Sequence, residues 1–489
     1  VRLVVLLLWS GLVLASCGGG SCGTPVPDAT ARTDATLEAR VEAAPEVAGA
    51  DAEGHDLADV APRPDPGREV DAPPCPDTIV EIGPEAPRDA DPGEAGLSDA
   101  ADLTPADPGA EQEADAPVGP GPAPWIAGDL VQVPDKYDLL PLPGNGVGHP
   151  VVTSNNPEIF TGAGFLYETA REDPERGGAC YPLAGAFGVY LHHLNQTGQR
   201  MYVHVLVTNP GPDPVVVSGF GSGYNQADTG GLGLGFGPDY RVAEDWLLHT
   251  PDHVLAPTTL QPLKALQAWV HEVAHGSEID GRFELTASAG VYVYVVAAAT
   301  PDVNAAVALT QTAAPGDVHP PGDPPPPFGR EAGVYAWDTW AGAWDVGLPP
   351  AGGPHWLGYV VNTATGLGLE PVQAFPALTA FADSAKESVG MYGDDFLFDV
   401  RFTNPSSVTR LVDVYLAALG GGSPSFFFNG PVLFGGQPVP VVLTPAERLR
   451  LLGSVVVPPS GEASATLDVF IQGLSSIPQA LLFVTTGPP

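Results

Sequence analysis

Between Trp9 and Trp125 the chain contains no phenylalanine, tyrosine or tryptophan. Aromatic side chains bring the largest apolar area per residue, so a long stretch without them has little from which to build a core. Residues 18–124 hold 24 Asp and Glu against 5 Arg, in a background of Ala, Pro and Gly. Too little area can be buried there to offset the entropy of ordering the chain, and like charges with prolines keep it extended. The expectation is a disordered acidic tether over 18–124 carrying a folded part at 125–489. Calcium buffering by the tether is the functional alternative, although no Asp-x-Asp-x-Asp-Gly loop is present.

Ahead of the tether, Arg2 precedes an apolar run that is short for a bilayer span and ends in small residues. That is the layout of a secretory signal peptide, here 1–17. Its exit, Leu14-Ala15-Ser16-Cys17, resembles the bacterial lipobox. The resemblance implies diacylation of Cys17 and a membrane held as partner through that anchor. Gly18, rather than Asp, implies outer-membrane sorting in a Gram-negative cell, on the periplasmic face or the cell surface. An ordinary signal peptide with an unmodified Cys17 is the alternative. Cys22 and Cys75 lie in the tether and can pair, which would leave Cys180 free as a small buried hydrophobe. No Cys-x-x-Cys pair marks a zinc site.

The formal net charge of −39, with only 19 Lys and Arg, excludes nucleic acid as a partner, because binding it requires clustered positive charge. From Trp125 onward, β-branched and aromatic runs alternate with glycine and proline turns. "MYVHVLVTNPG", "PVVVSGFG", "VYVYVVAAAT", "FLFDVRFTNP", "LVDVYLAAL", "SATLDVFIQG" and "ALLFVTTG" read as strands. "YRVAEDWLLH" and "PALTAFADSAKES" are the helical candidates. A proline cluster at 319–329 marks a linker between a domain at 125–318 and another at 330–489.

The two halves resemble each other. Tyr190 lines up with Tyr392, and Thr208-Asn209-Pro210 with Thr403-Asn404-Pro405, if "HHLNQTGQ" is an insertion in the first half. Farther on, "VHEVAHGS" lies in step with "SVVVPPSG". The fold class expected is mainly β, with two related β-sandwich domains whose inward and outward residues alternate. The layout resembles secreted bacterial proteins with paired β-sandwich domains, and that resemblance implies no catalytic residues.

One string suggests chemistry. His271-Glu272-Val273-Ala274-His275 spells HExxH, which on a helix places both histidines on one face to bind zinc, with Glu272 as base. The third ligand would be Glu278, Asp280, Glu284 or something distant. The repeat argues otherwise, since three valines before two prolines make a strand. On a strand His271 and His275 stand roughly 13 Å apart at ~3.3 Å per residue, too far for one zinc. No metal, no cofactor and no enzyme activity are therefore expected; a zinc peptidase is the alternative.

A second constellation is "VYAWDTWAGAWDVG", with Tyr335, Trp337, Trp340 and Trp344 beside Asp338 and Asp345. Exposed, Trp337, Trp340 and Trp344 would stack on sugar rings; buried, they would fill a core. "GFGSGYNQADTGGLGLGFG" lacks the Gly-Lys-Ser/Thr of a phosphate loop and reads as flexible turns. His192 and His193 beside Asn195, and Asp394 with Asp395, read as solvated loop residues. The functional expectation is a structural or binding role in the cell envelope, with surface polysaccharide or other envelope proteins as partners.

Overall fold

The computed structural model describes residues 124–485, apart from 131, 135–137, 171–179, 231–236, 319–329, 351, 363–372, 420–427, 474 and 476–477. The expected signal peptide, Cys17, the tether with Cys22 and Cys75, and the proline cluster lie outside the described residues.

An N-terminal arm supplies β1 (Ile126–Ala127), β2 (Leu140–Pro141) and β3 (Asn145–Val147). Then come β4 (Val151–Ser154), β5 (Ile159–Phe160), β6 (Gly164–Glu168), β7 (Leu183–Asn195), β8 (Met201–Thr208) and β9 (Val215–Asn225). Helix α1 (Pro238–Leu247) precedes β10 (His253–Leu260), β11 (Ala265–Val273), β12 (Glu278–Ala298) and helix α2 (Val303–Ala308). The second half begins with β13 (Ala332–Tyr335), β14 (Thr339–Gly347), β15 (His355–Val360), β16 (Phe375–Ala380) and β17 (Glu387–Ser388). It continues with β18 (Asp395–Thr403), β19 (Arg410–Ala418), β20 (Phe428–Phe434) and β21 (Gln437–Leu443). Last are β22 (Leu449–Val457), β23 (Glu462–Phe470) and β24 (Gln479–Thr485).

These strands build the same sandwich twice. In the first, sheet I runs β10-β9-β12-β7-β4 and sheet II joins β11, β8, β12 and β6. In the second, sheet III runs β21-β20-β23-β18-β14 and sheet IV joins β22, β19, β24 and β15. β4 beside β7 and β14 beside β18 are both parallel pairs. β12 does alone what β23 and β24 do separately: its first part pairs with β7 and β9, its last part with β8 and β6. Between the sheets of each sandwich lies its own apolar core, the period-2 alternation putting residues such as Phe396, Phe398, Val400 and Phe402 inside.

The repeat is present, but part of its register differs from the sequence alignment. Buried Asn195 ends β7, where its Nδ2 donates to Gln199 O (2.8 Å) and Val273 O (2.9 Å) while Oδ1 accepts from Thr197 N. Asn404 follows β18 and does the same with Val408 O (2.8 Å), Val457 O (3.2 Å) and Ser406 N. Asn209, after β8, makes the same set with Asp213 O, Leu260 O and Gly211 N, so strand order decides. β18 lies beside β14 and β23 as β7 lies beside β4 and β12. Asn404 therefore matches Asn195 rather than Asn209, and "HHLNQTGQ" is the end of β7 with its hairpin, not an insertion. Tyr190 and Tyr392 are not equivalent either: Tyr190 is within β7, Tyr392 ahead of β18. The second alignment was in register, since the two asparagines pick out Val273 and Val457, the residues that "VHEVAHGS" and "SVVVPPSG" superpose.

Strand pairing crosses 319–329 in both directions. β1 and β2 pair with β15, and β3 with β14. In return β13 pairs with β4, and β16 and β17 extend that sheet. Each half thus takes cover for an open sheet edge from the other. "PALTAFADSAKES", expected as helix, forms β16 and β17 because it completes this edge; "YRVAEDWLLH" does fall in α1. "GFGSGYN" is strand, not turn: a Cβ at Gly221 or Gly223 would strike Phe283 or Trp269 (2.5 and 2.3 Å). Cys180, expected to be free, is disulfide-bonded, with its partner outside the described residues.

Candidate functional site

The same face of each sandwich is used differently. The outer face of sheet I is covered by α1 and the second sandwich along β7 and the first part of β12, where Tyr190, His192, Asp280 and Arg282 are buried, while Phe220 and Val254 toward its β10 edge stay exposed. The outer face of sheet III is covered by α1 only at one end. There Val242, Leu247 and Trp246 of α1 pack on Phe470 and Leu433. Beyond that contact sheet III holds an open groove of about 510 Å³, within the ~300–1,000 Å³ of small-molecule sites. Alternation along adjacent strands aims its lining outward: Ala341 and Ala343 from β14, Leu397 and Asp399 from β18, Thr466 and Asp468 from β23. Leu397 is 42 % exposed, a large apolar side chain left in water. Among the described residues no lysine or arginine lines the groove. Arg401, one step beyond Asp399, is held by Asp345 through two hydrogen bonds (2.6 and 2.7 Å). Burial, and then the charge of Asp395, push the Asp468 carboxyl up to about 8. The shift favours the protonated carboxyl, which can donate as well as accept a hydrogen bond.

The covered part of sheet I carries the buried charges. Arg282 on β12 is 1 % exposed. Its Nη2 donates to Asp338 Oδ2 at 3.2 Å, and its guanidinium lies over the Trp246 ring, 4.3 Å from the centroid. Trp246 Nε1 donates to Asp395 Oδ2 at 2.7 Å, tying α1 to the start of β18. Asp394, expected in a solvated turn, is buried, and burial drives its carboxyl well above the usual range. His192 and His193, expected in solvent, are buried on opposite faces of β7. His193 Nδ1–H donates to Pro157 O (2.8 Å), while Nε2 accepts from Ser154 Oγ (3.0 Å). Burial pushes its pKa down to about 3, so it stays neutral. His192 points the other way, 3.2 Å from Asp280.

The HExxH segment is strand β11 through Val273, followed by a turn. Each of its three polar residues has its own partner. His271 Nε2 lies 2.6 Å from Asp228 and its ring stacks on Trp269. Glu272 meets Arg200 (3.1 Å) and Tyr202 OH (3.2 Å). His275 Nδ1 accepts from Gly198 N at 3.3 Å. Among the described residues no three His, Cys, Asp or Glu side chains converge to hold a metal.

The tryptophans belong to packing. Trp344 is buried in the second core, edge-on to Tyr359 (5.4 Å) and Phe398 (5.8 Å). Trp337 and Trp340 are half-buried against Phe375, and Trp340 Nε1 donates to Pro143 O. Of the two alternatives for these rings, core packing holds for Trp344, while Trp337 and Trp340 stay half-buried; β14 turns Trp340 and Trp344 to the face opposite the groove. The groove residues, missed at that point, were visible only as the outward letters of "FLFDVRF" and "SATLDVF".

Residues 138–229, the stretch from β2 through β9, match the model of a family described as "Protein of unknown function (DUF3370)". No curated protein matches the chain. Among solved structures, the N-terminal CBM22-1-CBM22-2 tandem domain from Paenibacillus barcinonensis Xyn10C covers 61 % of this chain and 83 % of its own, at 9 % identity and a TM-score of 0.12. A likeness that weak carries no argument about fold or function.

Proposed function

We propose that the protein is a non-catalytic binding module of the cell envelope, exported and lipid-anchored at Cys17, that holds a neutral polysaccharide strand along sheet III. The observation that carries the reading is the groove itself, an open sheet face where its counterpart in the first sandwich is covered along β7 and the first part of β12. An extended ligand suits a groove that runs across β14, β18 and β23 of one open sheet face. Asp399, Thr466 and the protonated Asp468 supply donors and acceptors for hydroxyl groups, and Leu397 supplies an apolar contact for a sugar's C–H face. Asp399, with no lysine or arginine among the described lining residues, disfavours acidic polymers. The lipobox and the acidic tether support placement at the envelope, away from the membrane surface.

Affinity electrophoresis of the purified chain tests this, using gels containing neutral glucan, galactomannan or arabinoxylan beside pectin and alginate. At least one neutral polymer is expected to slow the protein and the acidic ones are not. Leu397→Arg, which fills the groove from an exposed position, should weaken retention at least about tenfold with an unchanged Tm, a loss of about 1.4 kcal/mol. Migration equal to a blank gel in every polymer, or full retention of the Leu397→Arg variant, would refute the reading.

A further inference from the structure

Where α1 meets the outer face of sheet I, four ionisable side chains are sealed from water with too few partners. His192 on β7, Glu278 and Asp280 on β12, and Asp239 in the first turn of α1 are 3 %, 4 %, 0 % and 1 % exposed. Three carboxyls thus share one imidazole, whose Nδ1 lies 3.2 Å from Asp280 Oδ1 and 3.5 Å from Glu278 Oε1. Asp280 Oδ1 also accepts from Tyr190 OH at 2.9 Å. Neither oxygen of Asp239 has a well-formed hydrogen bond, and Asp280 Oδ2 lacks one as well. Of other charges, Glu158 ahead of β5 acts on this seam, while Arg282 on β12 lies among Asp338, Asp394 and Asp395 of the second sandwich. Arg282 is committed to Asp338. From the second sandwich, backbone closes the seam: a Cβ on Gly473 would sit 2.2 Å from His192 Nδ1.

We propose that this seam is a proton-operated latch, in which α1 and the turn at 471–473 stay shut on β7 and β12 while Asp239 and Glu278 carry protons, and lift away when both ionise. With both ionised, three carboxylates would face one imidazolium in a dry contact, and unpaired buried charge is costly. Burial, then the neighbouring carboxylates, push Glu278 up to about 8; burial, then Asp280, push Asp239 up to about 7. Burial alone would lower His192, but the hydrogen bond to Asp280 and the charges of Glu278, Asp280 and Glu158 outweigh it and raise it to about 10. All three shifts act in one direction. A group whose pKa is raised by folding stabilises most fully below its unfolded pKa, and that contribution is lost as pH rises through the folded one. The seam is therefore tightest in acid and loosens as pH climbs through 7 and 8. Because α1 also covers Phe470 and Leu433, its lifting would lengthen the groove; that consequence rests on the binding reading, and the latch does not.

Hydrogen exchange of the full chain, corrected for the intrinsic pH dependence of exchange, reads the latch directly. Protection of the α1 amides is expected to fall at least about tenfold between about pH 6 and pH 9 while β8 stays protected. In Asp239→Asn/Glu278→Gln the fall should shrink to about threefold or less. Should the double variant not fold, Asp239→Asn alone must reduce the fall. Flat protection in the wild type, an unchanged fall in the variant, or β8 opening in step with α1 would overturn the proposal. So would a stoichiometric divalent cation in the purified protein that restores α1 protection at pH 9, since the seam would then be a metal site.

Discussion

Arg282→Ala is expected to destabilise the folded unit by about 3–5 kcal/mol, the cost of removing one partner of a buried ion pair. The residue is 1 % exposed and holds Asp338 and the Trp246 ring at once. Its loss strands the Asp338 carboxylate near Asp394 and Asp395, where no second described cation is free to replace it. His149 lies 3.0 Å from Asp338 and is the only other basic group in contact with it among the described residues. Arg282→Lys should recover little, because an ammonium can neither reach Asp338 and the Phe283 carbonyl at once nor lie flat over an indole. Urea unfolding monitored by circular dichroism measures the change. Adding Asp338→Asn to the alanine variant should return part of the lost stability, since the stranded charge is gone. A single variant within about 1 kcal/mol of wild type would mean the junction between the sandwiches is not organised around this arginine.

Trp344→Ala should cost a similar ~3–5 kcal/mol, for a different reason: it opens a cavity in the second core between Tyr359 and Phe398. Trp337→Ala and Trp340→Ala remove half-buried rings and should cost less. The contrast with Leu397→Arg separates core from site. Trp344→Ala lowers the unfolding midpoint while leaving polysaccharide retention intact below it; Leu397→Arg does the reverse. Loss of retention at an unchanged midpoint in Trp344→Ala would favour the sugar-stacking alternative for that residue.

The sandwich was legible because alternation survives in the letters. "FLFDVRF" places Phe396, Phe398, Val400 and Phe402 on one face and Leu397, Asp399 and Arg401 on the other, as β18 does. The comparison of "VHEVAHGS" with "SVVVPPSG" settled the strand at His271 because the two segments occupy one position in the repeat. The tripeptide Thr-Asn-Pro misled for the opposite reason. It occurs at 208–210 and 403–405, in different hairpins, and a bracketing asparagine recurs at Asn195, Asn209 and Asn404 alike, so only the order of the strands tells which of them correspond.

What the letters did not reveal depends on long-range cover. "EIDGRFE" on β12 alternates Glu278, Asp280, Arg282 and Glu284 outward, the pattern of a solvated face, yet α1 and the second sandwich close over most of it. The same information decides that His192 is buried and that sheet III is open. Strand exchange by β1, β2, β3 and β13 was equally hidden, since segments of two to four residues carry no periodicity to read.

The most direct test is a hydrogen-exchange footprint of the full chain with and without the neutral polysaccharide that retains it in electrophoresis. Protection is expected at 341–343, 397–399 and 466–468, the strands that line the groove, and at no comparable level around 271–275. Protection centred on the 337–340 rim or on the HExxH strand, with the groove unchanged, would contradict the account.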